Sequence, residues 1–556
     1  MRKTYNIILI TIITLGIIAL NNYKIKAEKI TYELNSEYQP KSLKEGLEMS
    51  STLEKVSVVA QFNYNQFIYD NPLSDDATME EVNAYRDAKR AAGRAYHSVL
   101  NKRIASTLSI KGYDSVFVSS LLPFIEYTFS QDEYVKNQEE VLAKLTSHRE
   151  VSNVIVKSAV TNQQEKFQGA IGEANAGQIY DSRSYTGDGV TVGVLEVGII
   201  DASHTNMQGH SITYYDQPGF TEEVTEHATV CASLIGGKIG MAPDVTFLSS
   251  GLKTNNLYGE VEWMVNHGAD IINMSFGEIT PTGRYDSNSA YVDNMVKTYD
   301  VICVAAVGND GAETGKVCNP ALGYNVIGVG ATTTTGDVLG SSSTQVLEGP
   351  SKPTIGAPGY SLTIENCGIG YYGTSFACAF TSGMIATLLE AHPALKTKPE
   401  MVLAMLTANA NHISGYDKTK ANGFNKYLGA GRIDLQKTVD NYNRIWSFQN
   451  SSGYDGKLVY HFSAYLMEGV TLQAAFAWLA TANVSNHQAS FNNYEARIVR
   501  RSDGVVCAVA DSMGDNIQFL RYVTDKEDFY DMRIYQRCGS ISTSSPDDLA
   551  FAYRMN

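Results

Sequence analysis

Apolar positions recur with different periods along the chain, and the changes of period divide it. Ser57 to Phe62 (SVVAQF) reads as a strand. Thr78 to Leu108 carries a long helical pattern, with Val82, Tyr85, Ala88, Ala92, Tyr96, Val99, Leu100 and Ile104 on one face. Val116 to Phe129 offers two strands broken near Pro123. Val141, Leu142 and Leu145 mark a second helix, and Asn153 to Val160 a final strand. The order β-α-β-β-α-β predicts a small ferredoxin-like α+β unit over 57–160. A weakly periodic stretch rich in Gln, Gly, Ala and Ser follows at 161–186 and reads as a linker.

The period then shifts. Val190 to Leu195, Val245 to Leu248, Ile271 to Met274, Val301 to Ala306 and Val326 to Val329 are nearly continuous apolar runs. Such runs fit central parallel strands covered on both faces. Helical patterns at Thr229 to Ile235, Tyr258 to Asn266, Ala290 to Thr298 and Ser375 to Ala391 lie between or after them. The prediction for 187–445 is a doubly wound α/β sheet. Beyond Gly429-Ala430-Gly431-Arg432-Ile433 the pattern becomes short alternating strands, from Leu458 to Ala464 through Asp531 to Tyr535, punctuated by turns such as Ser502-Asp503-Gly504. That predicts a β-sandwich over 446–556.

Composition agrees with three globular units: 556 residues, 44% hydrophobic and 19% charged. A net charge of −15 argues against nucleic acid and against anionic membranes as partners. Arg2 and Lys3 followed by an apolar run from Ile7 to Leu20 read as a secretory signal over 1–27, with an extension at 28–56. The expected location is outside the cell or on its surface, with no membrane span after signal cleavage. The seven cysteines are scattered, without Cys-x-x-Cys or metal-ligand spacing. They read as small buried residues, with Cys507–Cys538 the one candidate disulfide.

Candidate chemistry sits at four places. Gly187-Asp188-Gly189-Val190 runs into a strand ending Val194-Leu195-Glu196-Val197-Gly198-Ile199. His227 begins a helix. Ala305-Ala306-Val307-Gly308-Asn309-Asp310-Gly311 ends a central strand. Gly373-Thr374-Ser375 starts the last helix, where small neighbours and the helix N-terminus suit a nucleophile. Ser and Thr are also preferred helix caps, so Ser375 gains meaning only from the other three segments. An acid, a histidine, an amide and a serine at strand ends can converge at one edge of an α/β sheet. Serine would attack, histidine take its proton, the carboxylate fix the histidine tautomer, and the amide donate to the oxyanion. The glycines Gly187, Gly189 and Gly193 precede the strand and do not form a dinucleotide loop.

This ordered set resembles the subtilisin-like serine proteases, the subtilases, over about Gly187 to Ile433. The Ile272-Asn273-Met274-Ser275-Phe276-Gly277 segment, Asn319-Pro320-Ala321 and Ala357-Pro358-Gly359 belong to the likeness. The resemblance implies Ser375 as nucleophile, His227 as general base, Glu196 as the acid and Asn309 as side-chain oxyanion donor. It implies Ser275, Phe276, Gly277 and Gly308 as substrate-binding residues. It further implies that the N-terminal unit is a propeptide, inhibitor of its own enzyme, and that the linker contains the processing point. The substrates would be proteins or peptides, the enzyme a monomer. No cofactor or metal is required, and calcium sites are not readable.

Three positions depart from the family pattern. The acid is Glu196 in place of aspartate, one methylene longer. Ala228 and Val230 replace the glycine and second histidine that usually follow the catalytic histidine. The stretch Ser249 to Gly259 is short, which reduces the edge strand that would clamp a substrate peptide. Two functions therefore stand: a secreted endopeptidase made as a zymogen, or a catalytically weak or inactive relative acting as a surface or binding protein. The C-terminal sandwich contains none of the motifs and is expected to be dispensable for bond cleavage.

Overall fold

The computed structural model describes residues 55–157 and 174–556. Excepted are 65–66, 68, 70–72, 74–76, 175, 217–222, 239, 253–256, 278–282, 312–315, 334–336, 346–348, 361, 363, 365, 368–370, 451–455, 485–486 and 538–546. The signal, most of the extension and most of the linker lie outside the described residues.

The N-terminal unit has strands β1 (Lys55–Phe62), β2 (Ser115–Val118), β3 (Phe124–Ser130) and β4 (Val151–Lys157) in the order β2-β3-β1-β4. The β1 pairings with β3 and β4 and the β2 pairing with β3 are antiparallel. Two helices, Met79–Leu108 and Gln131–Thr146, complete the predicted order. Thr78 caps the first helix by accepting from the Glu81 amide while Glu81 accepts from the Thr78 amide, a reciprocal capping box.

The apolar face expected of that helix is only half right. Val82, Leu100 and Ile104 are buried, but Val99 is 61% exposed and Arg86, Lys89, Arg90, Gly93 and His97 are buried instead. The reason is a second partner: the helix also packs on the central unit. Arg86 pairs with Asp270, Lys89 Nζ lies 2.6 Å from Asp300, and Arg94 donates to Asn266.

The central unit is a seven-stranded sheet in the order β11-β10-β9-β8-β5-β7-β6. Its strands are β5 (Thr191–Glu196), β6 (Ile212–Tyr214), β7 (Thr246–Gly251), β8 (Ile271–Met274), β9 (Ile302–Ala306), β10 (Ile327–Thr332) and β11 (Ile355–Pro358). Every pairing is parallel. The chain leaves β5 toward β7 and β6, then returns to its other side through β8, so the strand order reverses beside β5. In open parallel sheets such a switch point opens a crevice at the carboxyl ends of the strands. The helix Thr374–Ala391 is apolar and long enough to cross a bilayer, yet 89% of it is buried as a core helix of this layer.

The C-terminal unit stacks two four-stranded sheets, β12-β21-β14-β19 and β13-β20-β17-β18, beside a two-stranded β15-β16 ribbon. These strands are β12 (Ile445–Asn450), β13 (Leu458–Leu466), β14 (Thr471–Trp478), β15 (Thr481–Asn483), β16 (Gln488–Ser490), β17 (Asn493–Arg500), β18 (Val506–Ala510), β19 (Ile517–Val523), β20 (Asp528–Arg537) and β21 (Asp547–Met555). Trp478, Tyr494, Phe551 and Tyr530 fill the space between the sheets. Cys507 is a free thiol, so the candidate disulfide is not formed; Cys538 lies outside the described residues.

Candidate active site

Glu196 ends β5, Ser275 follows β8 and Asn309 lies three residues beyond β9, on three adjacent strands at one sheet edge. The register sets this: Leu195 pairs with Met274, and Met274 with Ala305. His227 is the second residue of the helix Glu226–Gly236, whose cap Thr225 accepts from the Ala228 amide. Gly198, with φ +112°, lets the chain after β5 pass this cap. A Cβ there would lie 2.2 Å from the Thr225 methyl and 2.7 Å from the Glu223 carbonyl.

Glu196 is 1% exposed, and its Oε2 lies 3.1 Å from His227 Nδ1. That is ion-pair distance, although Oε2 makes no hydrogen bond. Oε1 is anchored: it accepts from the Ser275 amide at 3.2 Å and from Asn273 Nδ2 at 3.4 Å. Asn273 is in turn fixed, with Oδ1 accepting from Ser382 and Cys378 and Nδ2 donating to Ser275 Oγ. Burial by itself would lower the pKa of His227, and the anionic forms of Cys231 and Glu196 outweigh it, holding His227 well above its ordinary value. Burial pushes the Cys231 thiol up to about 11, so at neutral pH the sulfur keeps its proton.

Ser375 is the second residue of its helix and 5% exposed. Its Oγ donates to the Ser275 carbonyl at 2.9 Å, and its own carbonyl accepts from Ser275 Oγ at 2.7 Å. Ser275 thus joins the segment holding Glu196 to the segment holding Ser375. His227 Nε2 is buried without a hydrogen-bond partner. The Ser375 hydroxyl therefore spends its hydrogen bond on the Ser275 carbonyl and makes none to the imidazole. The Phe376 ring packs against His227 with centroids 5.2 Å apart. Asn309 Oδ1 accepts from the Thr374 amide at 2.9 Å, which leaves its Nδ2 as the group able to donate outward. Gly373, with φ +142°, permits this approach, since a Cβ there would lie 3.3 Å from the Asn309 amide group.

Among the other expected residues, Ser275, Phe276 and Gly308 are buried. Cys318 Sγ occupies the gap between the two glycines: a Cβ on Gly308 would meet it at 2.6 Å and one on Gly277 at 3.2 Å. The Asp201 carboxylate accepts from the amide and hydroxyl of Ser203. Five residues link β7 to the helix Leu257–Asn266, in keeping with the short stretch noted in the sequence. Asn273 and Cys231 were not selected from the sequence. Cys231 carried a signal, since it follows His227 by four residues on a helix; Asn273 carried none beyond its place in the Ile272–Gly277 segment.

This edge of the sheet, with its serine, histidine, carboxylate and amide, can be set against known proteins. The model of the subtilase family matches residues 187–431. Residues 187–431 form a subtilase domain. Subtilisin E of Bacillus subtilis (strain 168) is 29% identical over 275 residues, which is 46% of this chain and 67% of that protein. Subtilisin of Bacillus pumilus is 28% identical over 46% of this chain and 92% of its own length. Among solved structures, the prenylagaramide maturation protease PagA is 26% identical, covering 47% of this chain and 96% of that one, with a TM-score of 0.39. The part of the chain that carries Glu196, His227, Asn309 and Ser375 is thus similar to subtilisin-like serine proteases.

Proposed function

We propose that the chain is a secreted serine endopeptidase, made as a self-inhibited zymogen, whose triad is Ser375, His227 and Glu196, with Asn309 donating to the oxyanion. The observation that carries this reading is the continuous path from carboxylate to nucleophile. Glu196 approaches His227 Nδ1 on one side and is tied through Ser275 to Ser375 on the other. Ser375 Oγ would attack the scissile carbonyl while Nε2 takes its proton. Glu196 would hold the ring with its proton on Nδ1 and stabilise the imidazolium.

The zymogen part is supported by the packing of the N-terminal unit. Glu262 accepts from the amide and hydroxyl of Ser120, and Tyr299 donates to the Leu121 carbonyl. Phe124 packs edge-on against Tyr258 and Tyr291. A surface this apolar and hydrogen-bonded would keep the unit docked after the linker is cut. Incubated alone, the purified chain is expected to be cut within 161–186 into two fragments that resolve under denaturing conditions, and Ser375→Ala to stay full length. A wild-type chain that remains intact, or a Ser375→Ala chain that is cut equally fast without other proteases, rules out self-maturation.

A further inference from the structure

The helix Glu226–Gly236 carries His227 and Cys231 four residues apart, on one face. Cys231 Sγ lies 4.0 Å from His227 Nδ1, the same nitrogen that faces Glu196 Oε2 at 3.1 Å. All three donor atoms lie within 4.8 Å of one another. Cys231 and Glu196 are 0% and 1% exposed, and Oε2 has no hydrogen-bond partner. A buried carboxylate oxygen thus points at a nitrogen and a sulfur.

With bonds of about 2.0 Å to oxygen and nitrogen and about 2.3 Å to sulfur, donors around a tetrahedral zinc ion stand roughly 3.3–3.6 Å apart. The two spacings to Nδ1, 4.0 Å and 3.1 Å, bracket that range. A mixed thiolate, imidazole and carboxylate set suits a zinc-class ion and not calcium or magnesium, which take all-oxygen shells. An outer shell exists too: the Ser275 amide and Asn273 Nδ2 already orient Oε1.

We propose that Glu196, His227 and Cys231 bind one zinc-class divalent cation, and that binding reversibly takes the Glu196–His227 pair apart. The metal forms bonds to Oε2, Nδ1 and Sγ. The thiol proton leaves to solvent. The proton on Nδ1 leaves to solvent as well, and the neutral ring keeps its other proton on Nε2, the nitrogen that would have to accept from Ser375. The inhibitory consequence rests on the proposed triad; the binding site does not.

The full-length Ser375→Ala chain, which cannot process itself under the proposed mechanism, is titrated with cobalt(II) while thiolate-to-cobalt charge-transfer absorption is recorded. One equivalent should bind with that band, and zinc should displace it. Cys231→Ala, or Cys231→Ser if alanine does not fold, should abolish the band. Cys367→Ala and Cys507→Ala should keep it. Asn273→Ala should weaken cobalt binding by ~10- to 100-fold. A parent chain with native circular dichroism and no band overturns the site, as does a band that survives the loss of Cys231. Zinc bound without loss of peptidase turnover in the Ser375 chain overturns the inhibitory half and leaves the site standing.

Discussion

At the scale of single residues, the departure from aspartate to glutamate is absorbed by its surroundings. Glu196 Oε1 is held by Ser275 and Asn273, and Oε2 lies 3.1 Å from His227 Nδ1. Glu196→Gln keeps the shape and removes the charge, so kcat on a small peptide should fall roughly 10⁴-fold, or about 5 kcal/mol of barrier. Aspartate would withdraw the carboxylate by about one methylene, roughly 1.5 Å, and could not hold both Ser275 and His227. Glu196→Asp should therefore lower kcat, on the order of 10²-fold for a misplacement of about 1 Å. A rise in turnover for Glu196→Asp would mean that glutamate is a poor fit the pocket has not accommodated. All four chemical groups were legible because each sits at a strand or helix end, and Glu196, Asn309 and Ser375 have a glycine within two residues. The Asn273 hub and the Cys231 contact were not, since both are buried side chains inside otherwise apolar elements.

At the scale of elements, a carboxylic acid inside a buried helix gives a pH dependence with a definite sign. Glu400 stands in the first turn of the helix Pro399–Asn409, is 3% exposed, and its Oε1 has no hydrogen-bond partner. Burial, helped by the negative charge of Asp548 and opposed by Lys398, pushes its pKa from 4.5 up to about 8. Between those values the folded chain keeps a proton that the unfolded chain has lost. For this group stability is therefore highest below pH 4.5 and falls as pH rises toward about 8. Glu400→Gln should leave the melting temperature near pH 4 unchanged and raise it at pH 8; an equal shift at both would show that packing, not ionisation, is responsible. Elements also mark where sequence patterning stops. The helix Met79–Leu108 was legible in extent, but its buried Arg86, Lys89 and Arg90 break the apolar stripe. The pairing of Arg86 with Asp270 and of Lys89 with Asp300 is set by docking between units, which no local period encodes.

At the scale of the whole molecule, the C-terminal sandwich is not an appendage. Ile445, Ala475, Ala477, Ile517, Phe519, Ala550 and Ala552 belong to the same apolar core as the helix Thr374–Ala391. Polar joints run alongside. Gln473 donates to the Ala408 and Ala410 carbonyls, Arg554 donates to the Asn409 carbonyl, and Asp515 accepts from the amide and hydroxyl of Ser351. Asn325 accepts from the Ala480 amide and donates to its carbonyl. The Phe519 carbonyl lies where a Cβ on Gly423 would be, 1.8 Å away, so the two backbones meet directly. The sequence reading placed every motif outside this unit, and chemically that stands; but dispensability does not follow from it. Cutting after Asn443 would expose a core face and leave the Ala408, Asn409 and Ala410 carbonyls and Asn325 Oδ1 without these partners, each costing about 1–3 kcal/mol. Several such losses are comparable to the ordinary stability of a domain, about 5–15 kcal/mol. The truncated chain, carrying Ser375→Ala to exclude self-digestion, should therefore lack cooperative thermal unfolding and near-ultraviolet circular dichroism. Co-expressing residues 444–556 as a separate chain should restore both. A truncated chain that unfolds cooperatively on its own would show that the central sheet closes its core without the sandwich.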